Sequence, residues 1–406
     1  MTNFNNSETS INNKKTQNNN KNIKKQSKNK EKSRKKIIFT KTGKLIYFPI
    51  FIGIVAVFIT SIVLICVFPN TKIPKATKES TDNWPKNIVA PFVDMASWIT
   101  PGTEYSLNGV PNINKVEEQT GIKYYNLGFI QPDKTTPLNQ DGTIRWGFGG
   151  LYKLSEKGND GYQYPKIKQV IETLQKQSAI YTISVGGQAG TSPWMVTSNV
   201  NKLEEMYLDI ISTYNLKRLD LDIEMSNQDY NQNVVNARAI KAVQDKTGVE
   251  ITLTIPIMPH GWDEKQTNLI KAYFDQGVAV QTINSMTMCY GTGVYENEDY
   301  GTASVRAMNN AFRQIKEIYA NYGNLISDDL AYQKLGATYS IGYESNVYPV
   351  FTTDMSRTIV DDAKLHNYGM VSFWSMGRDA KLESNSAITT TFEFSKILKE
   401  YNNDNE

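Results

Sequence analysis

The 406-residue sequence contains only two cysteines, Cys66 and Cys289. Cys66 falls in a long apolar run and Cys289 in a separate, apolar strand-like segment, so a disulfide between them is not expected. The 319 residues from position 88 to position 406 are enough to bury a large core without disulfides.

Histidines are equally scarce, because His260 and His366 are the only two. They are too few and too far apart in the sequence to suggest a metal site or a Ser-His-Asp arrangement. No glycine-rich phosphate loop follows an early strand, as dinucleotide binding would require. The sequence therefore predicts no metal and no cofactor.

Charge is divided unevenly along the chain, although the formal net charge is only +3. Residues 1–44 hold thirteen Lys and Arg against two acids, which leaves residues 45–406 with a net charge of −8. The Asn-, Lys- and Ser-rich composition of residues 1–44 predicts a disordered basic tail. Nucleic-acid binding is not expected, because no aromatic or Arg pattern accompanies the lysines. Contact with anionic lipid heads fits the tail better.

The chain has one long uncharged run, residues 45–69, which reads LIYFPIFIGIVAVFITSIVLICVFP. A helix of this length would measure about 37 Å and exceed a hydrocarbon core. A cleaved secretory signal is the alternative, but its apolar region would be only about 7 to 15 residues long. The sequence predicts a single-pass anchor in the cell membrane, with residues 1–44 in the cytoplasm, a polar stalk at 70–87 and the body outside the cell.

Strand-like and helix-like segments alternate through residues 88–406. Strands are predicted at 88–95, 123–130, 179–186, 217–224, 249–256, 280–289, 334–341 and 369–375. Helices are predicted at 165–177, 200–215, 232–246, 264–277, 305–323, 354–367 and 387–401. Eight strands with intervening helices predict an α/β fold, a (β/α)₈ TIM barrel preceded by one transmembrane helix and the disordered tail. A doubly wound open sheet is the alternative.

Three acids alternate with aliphatic residues in the segment 218–224, Arg-Leu-Asp-Leu-Asp-Ile-Glu. Because side chains alternate across a strand, Asp220, Asp222 and Glu224 project from one face, about 7 Å apart. An edge strand with its acids in water is one interpretation. The neighbouring helices and strands instead predict a parallel strand covered on both faces, where uncompensated charges are strongly unfavourable. This favours a functional site at the carboxyl end of the barrel.

The acid ladder resembles the catalytic signature DxxDxDxE of glycoside hydrolase family 18, the chitinases and their relatives, on the fourth barrel strand. Lys217 replaces the first Asp of that signature, and the other three acids are present. Residues 184–187, Ser-Val-Gly-Gly, resemble the family's SxGG on the third strand. Residues 286–291, Met-Thr-Met-Cys-Tyr-Gly, resemble a bacterial form of its MxYD region on the sixth, without the Asp.

Three further segments resemble the bacterial branch of the family. They are residues 90–94, 254–259 and 372–379, on the first, fifth and eighth predicted strands. The resemblance therefore extends from residue 88 to about residue 379, and it implies that residues 88–406 form the catalytic domain.

The resemblance implies a substrate-assisted mechanism, in which the N-acetyl group of the substrate is the nucleophile. Glu224 is implied as the acid and then the base, Asp222 as the residue that orients the acetamide, and Asp220 as a neighbour that shares a proton. The Tyr290 hydroxyl is the candidate support for the acetamide carbonyl. Trp374 is implied as the apolar floor under the sugar, with an ordinary core Trp as the alternative.

The remaining predicted substrate contacts are Ser184, Gly186, Gly187 and Met288. Glycine at a strand end permits close approach of backbone and ligand, whereas core packing is the competing interpretation for Met288. One register of the MxYD region places Met288 and Cys289 at the Tyr and Asp positions. The other register keeps Tyr290 and places Gly291 at the Asp position.

The predicted function is hydrolysis of β-1,4-linked N-acetylglucosamine polymers, chitin or chitooligosaccharides, with retention, by an extracellular membrane-anchored enzyme. An endo-β-N-acetylglucosaminidase acting on N-glycans or peptidoglycan is an alternative within the same class. A non-catalytic chitin-binding lectin is the alternative from another class. Lys217 and the missing Asp motivate the lectin, and the retained Glu224 argues against it.

Overall fold

The computed structural model describes residues 87–155, 158, 164–176, 180–345, 348–381 and 385–401. The predicted tail at 1–44, the predicted anchor at 45–69 and the predicted stalk up to residue 86 lie outside these residues.

The described residues contain a curled, mainly parallel sheet and a small separate hairpin. The strands are β1 (Ile88–Val89), β2 (Phe92–Asp94), β3 (Ser106–Leu107), β4 (Val110–Pro111), β5 (Tyr124–Pro132), β6 (Trp146–Phe148), β7 (Ile180–Gly186), β8 (Arg218–Asp222), β9 (Glu250–Pro256), β10 (Val280–Met286), β11 (Leu335–Ser340) and β12 (Met370–Trp374). Neighbouring strands of the large sheet follow the order β1-β12-β11-β10-β9-β8-β7-β5-β2, β6 pairs with β5, and β3 pairs with β4.

The large sheet closes on itself, because its two ends belong to one chain segment. Residue Ile88 of β1 lies opposite Met370 of β12, and Phe92 of β2 lies opposite Asn126 of β5. With residues 88–94 counted as a single position, eight parallel strand positions surround one axis. This arrangement fits the predicted (β/α)₈ barrel, and it places the carboxyl ends of the parallel strands at one rim.

Helices follow most of the barrel strands. They are α1 (Ile113–Thr120), α2 (Tyr164–Lys176), α3 (Pro193–Val196), α4 (Val200–Tyr214), α5 (Tyr230–Thr247), α6 (Glu264–Asp275), α7 (Thr292–Tyr295), α8 (Tyr300–Asn321), α9 (Asp328–Gln333), α10 (Thr353–His366), α11 (Met376–Asp379) and α12 (Glu393–Lys399), with 3₁₀ turns at Tyr152–Leu154 and Met225–Gln228. Local chemistry sets their ends: the Asp229 side chain accepts the N–H of Gln232 at the start of α5, and Gly248 ends it at φ 73°.

The main core lies between the outer face of the barrel and the helices. Leu219, Leu221 and Ile223 alternate with the acids and are completely buried. They belong to the same apolar cluster as Leu203 of α4 and Ile240 of α5. Burial of these aliphatic side chains fixes which face of β8 turns outward, and the acids must therefore face the barrel interior.

The predictions of a transmembrane helix and of a membrane location are wrong for the residues that the structure describes. Among the residues that the structure describes, no helix is both long enough and apolar enough to cross a membrane. The longest, α8, has 22 residues, but it includes the charged side chains of Arg306, Arg313, Lys316 and Glu317. The predicted run at 45–69 is outside the described residues.

Candidate active site

The three acids of the ladder lie at the carboxyl end of β8. Asp220 and Asp222 are the third and fifth residues of that strand. Glu224 is two residues beyond it, with extended backbone angles of φ −122° and ψ 166°. The strand is thus shorter than predicted, but the extended backbone carries the alternation on to Glu224, and all three acids project from one face.

Asp220 is completely buried inside the barrel. Ser184 Oγ of β7 donates to Asp220 Oδ2 at 2.5 Å, and Thr254 Oγ1 of β9 donates to Asp220 Oδ1 at 2.7 Å. Burial raises the pKa of Asp220 to about 6, although these two hydrogen bonds oppose the rise. Ser184 therefore contacts the ladder directly, and its buried hydroxyl supports an acid.

A chain of polar side chains extends from Asp220 across the barrel interior. Asn284 Nδ2 of β10 donates to Thr254 Oγ1 at 3.0 Å, and Thr338 Oγ1 of β11 donates to Asn284 Oδ1 at 2.9 Å. All of these side chains are buried. Because every link satisfies a buried polar group, the chain holds the base of the ladder in one arrangement.

Asp222 is 3% exposed, and its Oδ1 atom has no hydrogen-bond partner among the described residues. Burial raises the pKa of Asp222 well above its ordinary value, and the negative charges of Glu224 and Asp220 raise it further. Asp222 therefore keeps a proton where an ordinary aspartate would be ionised. A buried carboxyl oxygen that lacks a hydrogen-bond partner can accept a hydrogen bond from a bound molecule.

Glu224 is half-buried at the mouth of the barrel. Burial raises its pKa to about 7, while a hydrogen bond with the Asp222 carboxyl lowers it in part. A carboxyl group that is partly protonated near neutral pH can act both as a proton donor and as a proton acceptor.

Gly186 and Gly187 allow β7 and the loop after it to approach the ladder. Gly186 has φ 123°, and a Cβ atom there would lie 2.0 Å from the backbone oxygen of Asp222. At Gly187, with φ 92°, a Cβ atom would lie 3.0 Å from the ring of Phe129. The two glycines are thus required by the close packing of the site itself.

Aromatic rings gather at the rim near the first, second and eighth barrel strands. The Trp374 ring lies 5.5 Å from the Phe129 ring and 6.5 Å from the Phe92 ring, measured between centroids. Trp374 and Phe129 are half-buried, whereas Phe92 is buried. Part of the indole surface of Trp374 therefore remains accessible at the rim.

The segment after β10 departs from the sequence prediction. The strand ends at Met286, not at residue 289, and Cys289 adopts a left-handed φ of 56°. Met288 is half-buried and Cys289 is exposed. Partial desolvation of the thiol raises the pKa of Cys289, and the charges of Glu344 and Glu224 raise it further.

Tyr290 is 5% exposed and belongs to the main apolar core. Its hydroxyl donates to Ser304 Oγ of α8 at 3.4 Å, and Ser304 in turn donates to the backbone oxygen of Thr287. This contact directs the hydroxyl toward a helix outside the barrel. Support of an acetamide by Tyr290 stays a prediction.

Glu344, which follows β11, is a carboxylate that the sequence analysis missed. It accepts the backbone N–H of Cys289 at 2.9 Å and the hydroxyl groups of Tyr295 at 3.2 Å and Tyr300 at 3.1 Å. Burial raises its pKa. The only signal in the sequence is an acid shortly after a predicted barrel strand, and this position alone does not reveal its partners.

Four other tryptophans lie among the residues that the structure describes. Trp146, Trp194 and Trp262 are at most 3% exposed, whereas Trp98 is 51% exposed. Trp146 Nε1 donates to Asp209, and Trp194 Nε1 donates to the backbone oxygen of Asn227. The three buried rings are therefore packed in the interior, and Trp98 is the one with an open face.

Within the residues that the structure describes, no group of three or more His, Cys, Asp or Glu side chains is arranged to hold an ion. His260 is exposed and its Nε2 lies 2.7 Å from Asp263 Oδ1, a neighbour in the sequence.

The fold and the site define a (β/α)₈ barrel with a buried acid ladder at the carboxyl end of its fourth strand. No family model matches the chain. It is 29% identical over 311 residues to a probable bifunctional chitinase/lysozyme of Escherichia coli strain K12, covering 73% of this chain and 31% of that protein. It is 27% identical over 310 residues to Endochitinase 11 of Metarhizium anisopliae, covering 73% of this chain and 53% of that protein.

Among solved structures, the chain is similar to catalytic-site mutants of active domain 2 of a thermostable chitinase from Pyrococcus furiosus complexed with chito-oligosaccharides. The identity is 24%, the TM-score is 0.63, and the match covers 82% of this chain and 97% of that one. This structural likeness shows the fold. The chain spans about a third and about half of the lengths of the two curated relatives.

Proposed function

We propose that residues 88–406 form a glycoside hydrolase domain that cleaves β-1,4-linked N-acetylglucosamine polymers, chitin or chitooligosaccharides, with retention of anomeric configuration. The observation that carries the proposal is the acid ladder of Asp220, Asp222 and Glu224, whose side chains project from one face at the carboxyl end of β8. The similarity to two chitinases supports the choice of substrate.

In the proposed reaction, Glu224 first acts as the acid. Its proton passes to the glycosidic oxygen while the bond from that oxygen to the anomeric carbon breaks. The carbonyl oxygen of the substrate's acetamide forms a bond to the same carbon, which gives an oxazolinium ion. Glu224, now ionised, removes a proton from water, and the hydroxide adds to the anomeric carbon and reopens the ring. A pKa of about 7 suits both roles.

The two aspartates have separate proposed roles. Asp222 Oδ1, which has no partner among the described residues, accepts the acetamide N–H and orients the carbonyl oxygen for attack. Asp220, held by Ser184 and Thr254, keeps Asp222 protonated by electrostatic repulsion in the ground state. Three adjacent carboxyl groups cannot all ionise without a large penalty, so protons stay within the ladder.

The sugar ring is proposed to stack on the accessible face of Trp374. An indole ring packs on the C–H face of a pyranose and excludes water from it. Phe92 and Phe129 support that ring from the barrel side. Met288 and Gly187 complete the proposed lining, and Tyr290 supports the loop from the core side.

The decisive experiment is turnover of N-acetylglucosamine oligomers by the full chain beside its Glu224→Gln variant, with products separated by length and anomer. We expect the parent to release the β-anomer first, and we expect the variant to lose about 10²–10⁴-fold in kcat without a change in Tm. The control is Glu205→Gln on the exposed surface of α4, which should leave turnover unchanged.

Other outcomes would decide between the alternative functions. Equal turnover by the parent and Glu224→Gln would contradict the assignment. Tight binding of oligomers without cleavage would favour a lectin. If the parent neither binds nor cleaves these oligomers, N-glycans and peptidoglycan strands become the substrates to test.

A further inference from the structure

The turn that follows Glu224 contains a residue in an unusual conformation. Met225 has φ 47°, in the left-handed region, and begins the 3₁₀ turn Met225–Gln228. A residue with a side chain seldom adopts this conformation unless surrounding contacts hold it there. Met225 is 59% exposed, and the contacts that reach this turn are made to its backbone.

One set of contacts reaches this turn through Asn227. The Asn227 N–H donates to the backbone oxygen of Glu224 at 2.8 Å. The Asn227 backbone oxygen accepts from Trp194 Nε1 at 3.0 Å and from Asn233 Nδ2 at 2.7 Å. Asn227, Trp194 and Asn233 are buried, and Glu224 is half-buried. The backbone carbonyl group of Glu224 is thus linked, through Asn227, to the buried side-chain amide of Asn233 in α5.

The contacts continue from Asn233 into the helix layer. Tyr273 of α6 donates its hydroxyl to Asn233 Oδ1 at 3.1 Å and accepts from Asn236 Nδ2 at 2.8 Å. Tyr207 of α4 donates to Asn236 Oδ1 at 2.8 Å. These four side chains are completely buried, so the network joins three helices to the turn beside the acid.

A second set of contacts reaches the same turn from α6. Gln266 Nε2 donates to Gln228 Oε1 at 2.6 Å, and Gln228 Nε2 donates to the Met225 backbone oxygen at 3.3 Å. Lys265 Nζ donates to that same oxygen at 3.3 Å. Gln266 and Gln228 are 8% and 7% exposed. The carbonyl group of the left-handed residue is therefore held from two sides.

We infer that Asn233, Tyr273 and Gln266 are positioning residues, which hold Met225 in its left-handed conformation and thereby aim the Glu224 carboxyl. Apolar side chains would pack these helices together without the need to satisfy buried amides. Both sets of contacts instead end on one four-residue turn next to a single acid. The inference rests on the proposed role of Glu224.

The test compares two conservative variants with a matched control in the full chain. Tyr273→Phe removes one hydroxyl and Gln266→Met removes one amide, with little change in volume. The control Tyr125→Phe removes a buried hydroxyl that donates to the backbone oxygen of Ile122, at the opposite end of the barrel. Two readouts are needed: kcat and KM on N-acetylglucosamine oligomers, and the titration of Glu224 by ¹³C NMR, assigned with Glu224→Gln.

We expect kcat to fall about ten-fold in Tyr273→Phe and in Gln266→Met, with KM within about two-fold of the parent, because a small displacement of a catalytic group slows the chemical step. The Glu224 titration should move in both variants, because its burial and its hydrogen bond with Asp222 change. In Tyr125→Phe, kcat and the titration should match the parent.

A purely structural role predicts another result. If all three variants lower Tm but leave kcat and the Glu224 titration unchanged, the inference is wrong. If the parent lacks glycosidase activity, the titration still decides the matter: a shift in Tyr273→Phe and Gln266→Met that is absent from Tyr125→Phe upholds the positioning network, while the proposed function alone fails.

Discussion

At the residue scale, burial decides which carboxyl groups keep their protons. Asp220 accepts two hydrogen bonds, each of which favours its ionised form, yet its pKa still rises to about 6 because burial outweighs both. Glu224 is half-buried, and burial raises its pKa to about 7, although a hydrogen bond with the Asp222 carboxyl opposes the rise. The raised pKa values of Asp220 and Glu224 thus come from their burial in the barrel.

Stability should therefore decline as pH rises through the range in which Asp220 titrates. The unfolded chain releases this proton near pH 3.8 and the folded chain near pH 6. Between these values the folded state binds more protons, so the free energy of unfolding falls as pH rises, by about 3 kcal/mol in total. Urea unfolding of the parent and of Asp220→Asn between pH 4 and pH 8 measures how the free energy of unfolding depends on pH.

The comparison of the two proteins measures the contribution of Asp220, including the effect of its charge on the pKa of Asp222. We expect the parent to lose more stability than Asp220→Asn between about pH 4 and about pH 6, with parallel curves above that range. Identical curves across the whole range would mean that Asp220 has an ordinary pKa in the folded state.

At the element scale, the site depends on how closely β7 and β8 approach at their carboxyl ends. Gly186 lies opposite Asp222 in the parallel register. The backbone oxygen of Asp222 occupies the volume that a Cβ atom of residue 186 would need. The position of the Asp222 backbone consequently requires a glycine at residue 186 of the neighbouring strand.

Gly186→Ala should destabilise the protein by about 3 kcal/mol, because it combines overpacking with an unfavourable positive φ. Displacement of the Asp222 backbone should also reduce turnover of N-acetylglucosamine oligomers. Thermal unfolding and kinetics on the same preparation measure both effects. Gly293→Ala is the control, since a Cβ atom there meets nothing within 4 Å; equal Tm values for the two variants would contradict the close approach.

At the scale of the whole barrel, the first and last strands must meet. The Ala90 backbone oxygen accepts from Asn126 Nδ2 of β5 and from Ser372 Oγ of β12, each at 2.7 Å. Asn126 and Ser372 are 246 positions apart in the chain. One carbonyl group between β1 and β2 therefore joins both neighbours of the first barrel strand.

Asn126→Ala should lower the free energy of unfolding by about 2 kcal/mol, because it removes a buried hydrogen bond at the closure of the barrel and leaves a small cavity. Chemical unfolding followed by circular dichroism measures the change. Asn139→Ala, which removes an exposed hydrogen bond to Thr143, should change stability by less than about 0.5 kcal/mol. A similar small effect at both positions would show that the closure tolerates the loss.

Much of the barrel could be predicted because local patterns follow the backbone period. The strand predicted at 249–256 is Glu250–Pro256 in the structure, and the helix predicted at 232–246 is Tyr230–Thr247. The strand predicted at 280–289 ends at Met286. Its apolar residues continue, but Cys289 turns into the left-handed region to reach Glu344, a contact that no local pattern records.

The sequence by itself determined the alternation of acids and aliphatic residues in β8, and hence the face on which Asp220, Asp222 and Glu224 lie, because that alternation follows from the geometry of a single strand. Only the tertiary structure decided how deeply each acid is buried, where the Tyr290 hydroxyl points and which amides hold the turn after Glu224. These properties depend on contacts between residues far apart in the chain, and such contacts exist only once the barrel has closed.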